Sequence, residues 1–251
     1  LLYVQMGLIP SMRLGYGLMI VGFLGAALMR TRLKETVENP TRINLSEMTA
    51  SYPKSMRESV NVWGLVPRSA FVLFLANTMM SFIIGMFQPV FTLYIIRDLS
   101  IGEVAFSYLM TVLFVTMIIL AIPSGKIIDK VGKKKPLMAA FLLWMVAVPL
   151  FIWGDFWKLI VAMSLIGLLQ ILVNGAGSAL FADLVPREHR GKVNGSTGFF
   201  NMVALAVGQL LGGWMYDNVN HSFPFYMQLA LAWAPLLMIY LYVKEPEKKE
   251  S

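Results

Sequence analysis

Asn77, Ser81, Gly85, Gln88 and Thr92 follow one another at intervals of four, four, three and four residues, and Gln170, Asn174 and Ser178 recur every four, with Gly167 on the same side. On an α-helix the first set shares an arc of about 80°. Amides and hydroxyls both donate and accept hydrogen bonds, so such stripes suit reversible binding of a solute. They can equally join helices to one another, and Asn174 beside Gly175-Ala176-Gly177 fits either use. Gln88 and Gln170 lead the candidates for solute contact. Asn77, Ser81, Thr92, Asn174 and Ser178 complete the candidate substrate wall, with Tyr108, Thr111, Asn201 and Gln228 as weaker additions. No Asp, Glu, Lys or Arg interrupts either stripe, which favours a neutral or amphipathic solute over a strongly ionic one. Covalent chemistry has little to work with. There is no cysteine, no His-Glu-x-x-His metal site, no nucleophile with a nearby histidine and no G-x-x-x-x-G-K-[ST] phosphate loop. The two histidines, His189 and His221, fall in loops. The chain is therefore not expected to be an enzyme, and no cofactor or metal is expected.

The elements that position these stripes are seven stretches without a single charged side chain: residues 14–29, 69–96, 104–125, 136–154, 159–182, 193–216 and 218–243. A bilayer-spanning helix needs roughly 20 predominantly apolar residues, because lipid offers its backbone no partners. Six stretches meet that length and the first is marginal. With 57% hydrophobic and 14% charged residues among 251, the expected fold class is an all-α integral membrane protein. The net charge of +7 would suggest nucleic acid in a soluble chain, but here the basic residues sit between apolar helices. Membrane lipid is the expected partner, and nucleic acid is not.

Eighteen of the 21 basic residues fall on one side of this topology, and only Arg13, Arg97 and Lys158 on the other. Short loops rich in Lys and Arg stay inside, so the C-terminus is expected in the cytoplasm and the first helix is expected to enter from outside. Trp153 and Trp157 flank the turn at Asp155 as outer-interface aromatics, whereas Trp144 and Trp233 are expected to pack. Between residues 30 and 69 the chain is polar, with breaks at Asn39-Pro40 and Tyr52-Pro53. Tyr52, Met56, Val60 and Trp63 there have helical spacing, which fits either an amphipathic helix on the inner membrane surface or a plain linker. The run Arg32-Leu33-Lys34-Glu35 after the first helix is echoed by Val243-Lys244-Glu245 after the last, and Leu2-Tyr3 by Met215-Tyr216 before it. These echoes suggest two related halves. Residues 1–38 would end an N-terminal six-helix half, whose last helix is about 13–30. Residues 39–68 would be a central cytoplasmic loop, 69–243 a six-helix bundle and 244–251 a cytoplasmic tail. A chain that begins Leu1-Leu2 is expected to be a fragment.

Between the third and fourth stretches stands Gly125-Lys126-Ile127-Ile128-Asp129-Lys130-Val131-Gly132-Lys133-Lys134-Lys135. It resembles the signature of the major facilitator superfamily (MFS), G-x-x-x-D-[RK]-x-G-[RK]-[RK], at every specified position. Asp183-Leu184-Val185-Pro186-Arg187-Glu188-His189-Arg190-Gly191 is similar to a second cytoplasmic turn of that family. A third likeness is weaker. Gly195, Ala204, Gly208, Gln209, Gly212 and Gly213 keep the spacing of a glycine motif of the family's antiporters, with Ala204 and Gln209 as departures. Gly208, Gly212 and Gly213 are read as helix packing.

The resemblance implies helices six to twelve of an MFS-type bundle, seven present of an expected twelve, with the missing N-terminal half as partner. It implies a cytoplasmic gate built on Gly125, Asp129, Lys130, Gly132, Lys133, Lys134, Arg190 and Gly191, in which Asp129 and Arg190 link helix ends. The two polar stripes would be the seventh and tenth helices, both cavity-lining in the family; Pro89 is expected to kink the former near Gln88. The implied function is secondary transport of a small-molecule solute by alternating access, in the plasma (cell) membrane. Multidrug-type efflux stands slightly ahead of sugar or metabolite uptake. A non-transporting sensor or scaffold of the same fold is the remaining alternative.

Overall fold

The structure is a computed structural model and describes residues 6–32 and 56–245. The chain divides into two compact units, residues 1–52 and 53–251. In the first, α1 (Leu8–Arg30) is a single apolar helix. The second contains α2 (Arg68–Leu93), α3 (Glu103–Val131), α4 (Lys134–Ile152), α5 (Phe156–Leu172), α6 (Ser178–Leu184), α7 (Arg190–Asn218), α8 (Phe223–Leu231) and α9 (Trp233–Tyr242). No strand occurs among the described residues. Among the described residues, seven segments of 19 to 32 residues are long and apolar enough to cross a membrane. At about 1.5 Å per residue even the shortest reaches ~28 Å, close to the hydrocarbon thickness. The chain is an integral membrane protein with an all-α bundle.

Charge-free length alone does not reveal how these spans are interrupted. A π turn at Tyr94–Asp98 carries α2 onward past Pro89, and another at Val173–Gly177 joins α5 to α6. The last span is two helices, because Pro235 has no amide to offer the Leu231 carbonyl and its ring crowds that turn. Asp155 starts α5 by accepting from the Lys158 amide at 2.9 Å. That bond, with the Lys158 ammonium, holds its carboxyl below the usual carboxylate range. The cap is therefore present at neutral pH and fades as acidification protonates the group.

Packing centres on a seam between α2 and α7. A Cβ added at Gly85 would lie 2.4 Å from the Leu205 carbonyl oxygen. At Gly208 it would lie 2.3 Å from that of Phe82, and at Gly212 2.3 Å from that of Met86. Only hydrogen fits at these crossings. Gly213 faces open space instead, so it takes no part in the close approach expected of it. Towards the far end of the bundle, Phe87, Phe91, Tyr94, Phe151 and Phe225 form an aromatic cluster, and Trp144 meets Phe87 edge-on at 5.6 Å. Trp144 is buried, as expected, but Trp233 is 53% exposed, because it begins α9 on the outward side. Trp153 and Trp157 are exposed beside Asp155.

Gln228 is fully buried, and among the described residues neither end of its amide finds a partner. Stranding a buried amide costs about 1–3 kcal/mol. Gln228→Leu is accordingly expected to raise the melting temperature in detergent.

Residues 56–61 are helical and run into a 3-10 turn at Val62–Gly64. Here the structure selects neither a bare linker nor a shared apolar face. Trp63 stacks on Phe74 at 3.9 Å and donates to Ser196 Oγ at 2.9 Å, which donates to the Ser59 carbonyl at 2.7 Å. Glu58 pairs with Lys192 at 3.1 Å. Trp63 thus faces α2 and α7, while Val60 is exposed. Tyr52, the breaks at Asn39-Pro40 and Tyr52-Pro53, the repeat residues Leu2, Tyr3 and 33–36, the boundary at 38 and the tail beyond Glu245 lie outside the described residues.

Candidate functional site

Three helical segments converge on a cavity of about 440 Å³ in the half of the bundle that ends in the lysine-rich turns. The segment α2 contributes Asn77 and Ser81; the π turn and α6 contribute Asn174 and Ser178; α7 contributes Asn194, Thr197 and Asn201. Four residues of the two predicted stripes therefore meet. Helical periodicity explains the convergence, because side chains three or four residues apart stack on one face.

The polar atoms are unequally occupied. Ser81 Oγ donates to the Asn77 carbonyl at 3.0 Å, and Ser178 Oγ donates to that of Asn174. Thr78 Oγ1 donates to Asn201 Oδ1 at 3.0 Å, tying α2 to α7. Thr197 Oγ1 is buried without a partner among the described residues. A hydroxyl left so costs stability unless something else satisfies it. Arg190 at the inner end spends its guanidinium on the carbonyls of Val185 (3.0 Å) and Ala182 (2.6 Å). The cavity wall thus offers amides and hydroxyls, which can hold a solute by hydrogen bonds, and its described residues include no carboxylate. Among the described residues no group of histidines and carboxylates is arranged to hold a metal.

Gln88, Thr92 and Gln170 do not line this cavity. Gln88 accepts from Gln209 Nε2 at 2.7 Å, a second link between α2 and α7, and Thr92 and Gln170 are exposed. Gln88 lies 11 residues beyond Asn77, so about 16 Å further along the helix. Tyr108 and Thr111 are also exposed, and Thr111 bonds within its own helix to the Ser107 carbonyl at 2.8 Å. Asn194 and Thr197 were not among the sequence candidates. Their spacing of three and four with Asn201 is the signal that marks them.

The glycine-containing turn is built differently from the pairing that the resemblance implies. Asp129 and Lys130 are exposed, and no ion pair among the described residues joins Asp129 to Arg190. Gly125 and Gly191 face open space. Lys133 instead pairs with Asp183, linking the start of α4 to the end of α6. Glu245 accepts from the Lys133 amide and from the Lys134 amide at 2.6 Å, while Lys134 Nζ reaches the carbonyls of Tyr240 (2.9 Å) and Val243 (2.6 Å). Gly132 makes this closure possible at φ +93°, and a Cβ there would lie 2.8 Å from Glu245 Oε2. Gly132→Ala should cost about 1–3 kcal/mol through backbone strain alone. Denaturant unfolding of the purified protein measures it.

A polytopic helical bundle with a polar, solute-sized cavity between membrane-spanning segments defines a class of integral membrane proteins. Residues 73–251 match the sequence profile of the Major Facilitator Superfamily, and the chain belongs to that superfamily. It is 28% identical over 125 residues to "Vacuolar membrane amino acid uptake transporter fnx2" of Schizosaccharomyces pombe, covering 49% of this chain and 21% of that protein. It is 29% identical over 122 residues to "Multidrug resistance protein MdtG" of Yersinia enterocolitica, covering 48% and 29%. It is 24% identical over 178 residues to "Multidrug resistance protein 1" of Bacillus subtilis, covering 70% and 45%. The chain thus spans less than half the length of each of these relatives.

Proposed function

We propose that this chain forms part of a secondary transporter that carries a small neutral or amphipathic solute across a membrane by alternating access. The observation that carries the reading is the cavity walled by Asn77, Asn174 and Asn194, whose side-chain amides make no hydrogen bond among the described residues. A pocket that presents unsatisfied amides to a passing solute binds it reversibly, as transport requires. Efflux of drug-like solutes stands ahead of uptake, in keeping with the names of two relatives; the name of the third, an amino acid uptake transporter, keeps uptake as the second reading. The proposed chemistry is solute movement and not catalysis.

The proposed orientation leaves the lysine-rich turns and the C-terminus in the cytoplasm, with the plasma membrane as the site of residence and an N-terminal six-helix half as the structural partner. In this reading the gate comprises Gly132, Lys133 and Lys134 with Asp183 and Glu245; Arg190 braces the end of α6, and Asp129, Lys130, Gly125 and Gly191 face whatever approaches from the partner half. The test is flux of a solute panel in vesicles carrying the full-length protein, with and without an imposed proton gradient. Saturable flux above empty vesicles is expected. Its absence across neutral drugs, sugars and amino acids, with folded protein present in both orientations, would overturn the proposal.

A further inference from the structure

A second cavity, of about 530 Å³, lies between α3, α4 and α5, away from the polar one. Ile127, Val131, Ala139, Leu142, Val146 and Leu172 make its wall apolar, and Lys135 stands at the end nearest the basic turn. Ile127, Val131, Leu142 and Val146 are each about half exposed, so the groove is open along its length. The lysines around it differ in what occupies them. Lys133 pairs with Asp183, and Lys134 donates to two carbonyls. Lys135, the lysine that lines the groove, makes no hydrogen bond or ion pair among the described residues. The groove therefore runs from hydrocarbon depth, where its lining is apolar, to the membrane boundary, where the Lys135 ammonium is unspent. Its polarity gradient is that of one amphiphile: an acyl chain below and an anionic headgroup above.

We propose that this groove binds an anionic phospholipid, with one acyl chain along α3 and α4 and the headgroup phosphate against Lys135. A neutral headgroup would fill the apolar part and leave the ammonium without its counter-charge. A covering protein helix would have to bring a carboxylate to the same place. The attraction expected of one lysine at an anionic lipid surface corresponds to a preference of about fivefold.

The experiment uses delipidated full-length protein in mild detergent, titrated with dioleoyl phosphatidylglycerol, dioleoyl phosphatidylcholine or inorganic phosphate. Retained lipid is counted by native mass spectrometry and stability by thermal unfolding, neither of which depends on transport. The wild type should retain phosphatidylglycerol about fivefold better than phosphatidylcholine and gain stability from it. Lys135→Gln should remove the preference while leaving phosphatidylcholine retention unchanged. Ala139→Phe, which fills the groove, should lower retention of both lipids. Lys135→Gln is a surface change that leaves the core intact, so it keeps the test open if Ala139→Phe does not fold. Equal retention of the two lipids by wild type, an unchanged preference in Lys135→Gln, or stabilisation by inorganic phosphate equal to that by phosphatidylglycerol would overturn the proposal. So would a groove that rejects both lipids because protein already covers it.

Discussion

Gly212→Val unseats α7 from α2, and the protein loses most of its folded yield. The added Cβ would meet three Met86 backbone atoms, the nearest at 2.3 Å, and backbone cannot rotate aside as a side chain can. Overpacking of this kind costs about 3 kcal/mol, a large share of a net stability of roughly 5–15 kcal/mol. The neighbouring position supplies the contrast. Gly213 meets nothing within 4 Å, so Gly213→Ala should not destabilise, and helix propensity favours the alanine by up to about 1 kcal/mol. Unfolding midpoints of the two variants in the same detergent make the comparison. Equal destabilisation would show that the seam is not the close crossing described.

The second large effect separates stability from transport. Thr197→Val removes a buried hydroxyl that has no partner among the described residues, so it should leave the unfolding midpoint unchanged or higher. By contrast, Asn77→Leu combined with Asn174→Leu removes two cavity amides and should lower solute flux at limiting concentration roughly thirtyfold, if each lost hydrogen bond is worth about 1 kcal/mol. Thr92→Val, on the predicted stripe of Asn77 but outside the cavity, should leave flux within about twofold. A residue that only glues helices would show the reverse pattern, with destabilisation and flux falling together.

The spans were legible because the bilayer imposes its constraint locally: each charge-free run must close its own backbone hydrogen bonds, and length then decides. Helical spacing likewise placed Asn77, Ser81, Asn174 and Ser178 on the faces that meet. Spacing carries no information about depth. It could not show that Gln88 lies too far along α2 to join them, nor that Gln209 would take up its oxygen. The contributions of Asn194 and Thr197 were hidden by a glycine-rich segment whose small residues suggested packing, although one helix does both by presenting different faces. Long-range partners are equally silent in sequence. Glu245 lies 112 residues from Lys133, and only the folded chain brings that carboxylate to the turn at Gly132.

The account rests on a hydrated cavity between spans that are otherwise surrounded by lipid. These 251 residues contain no cysteine, so single thiols introduced at Asn174, Asn201 and Leu237 have no competitor within this stretch. Reaction with a charged, membrane-impermeant maleimide, applied to both sides of opened membranes, then reads contact with water at each position. The account predicts labelling of Asn174→Cys and Asn201→Cys and none of Leu237→Cys. Labelling at Leu237→Cys with silence at the two cavity positions would contradict it.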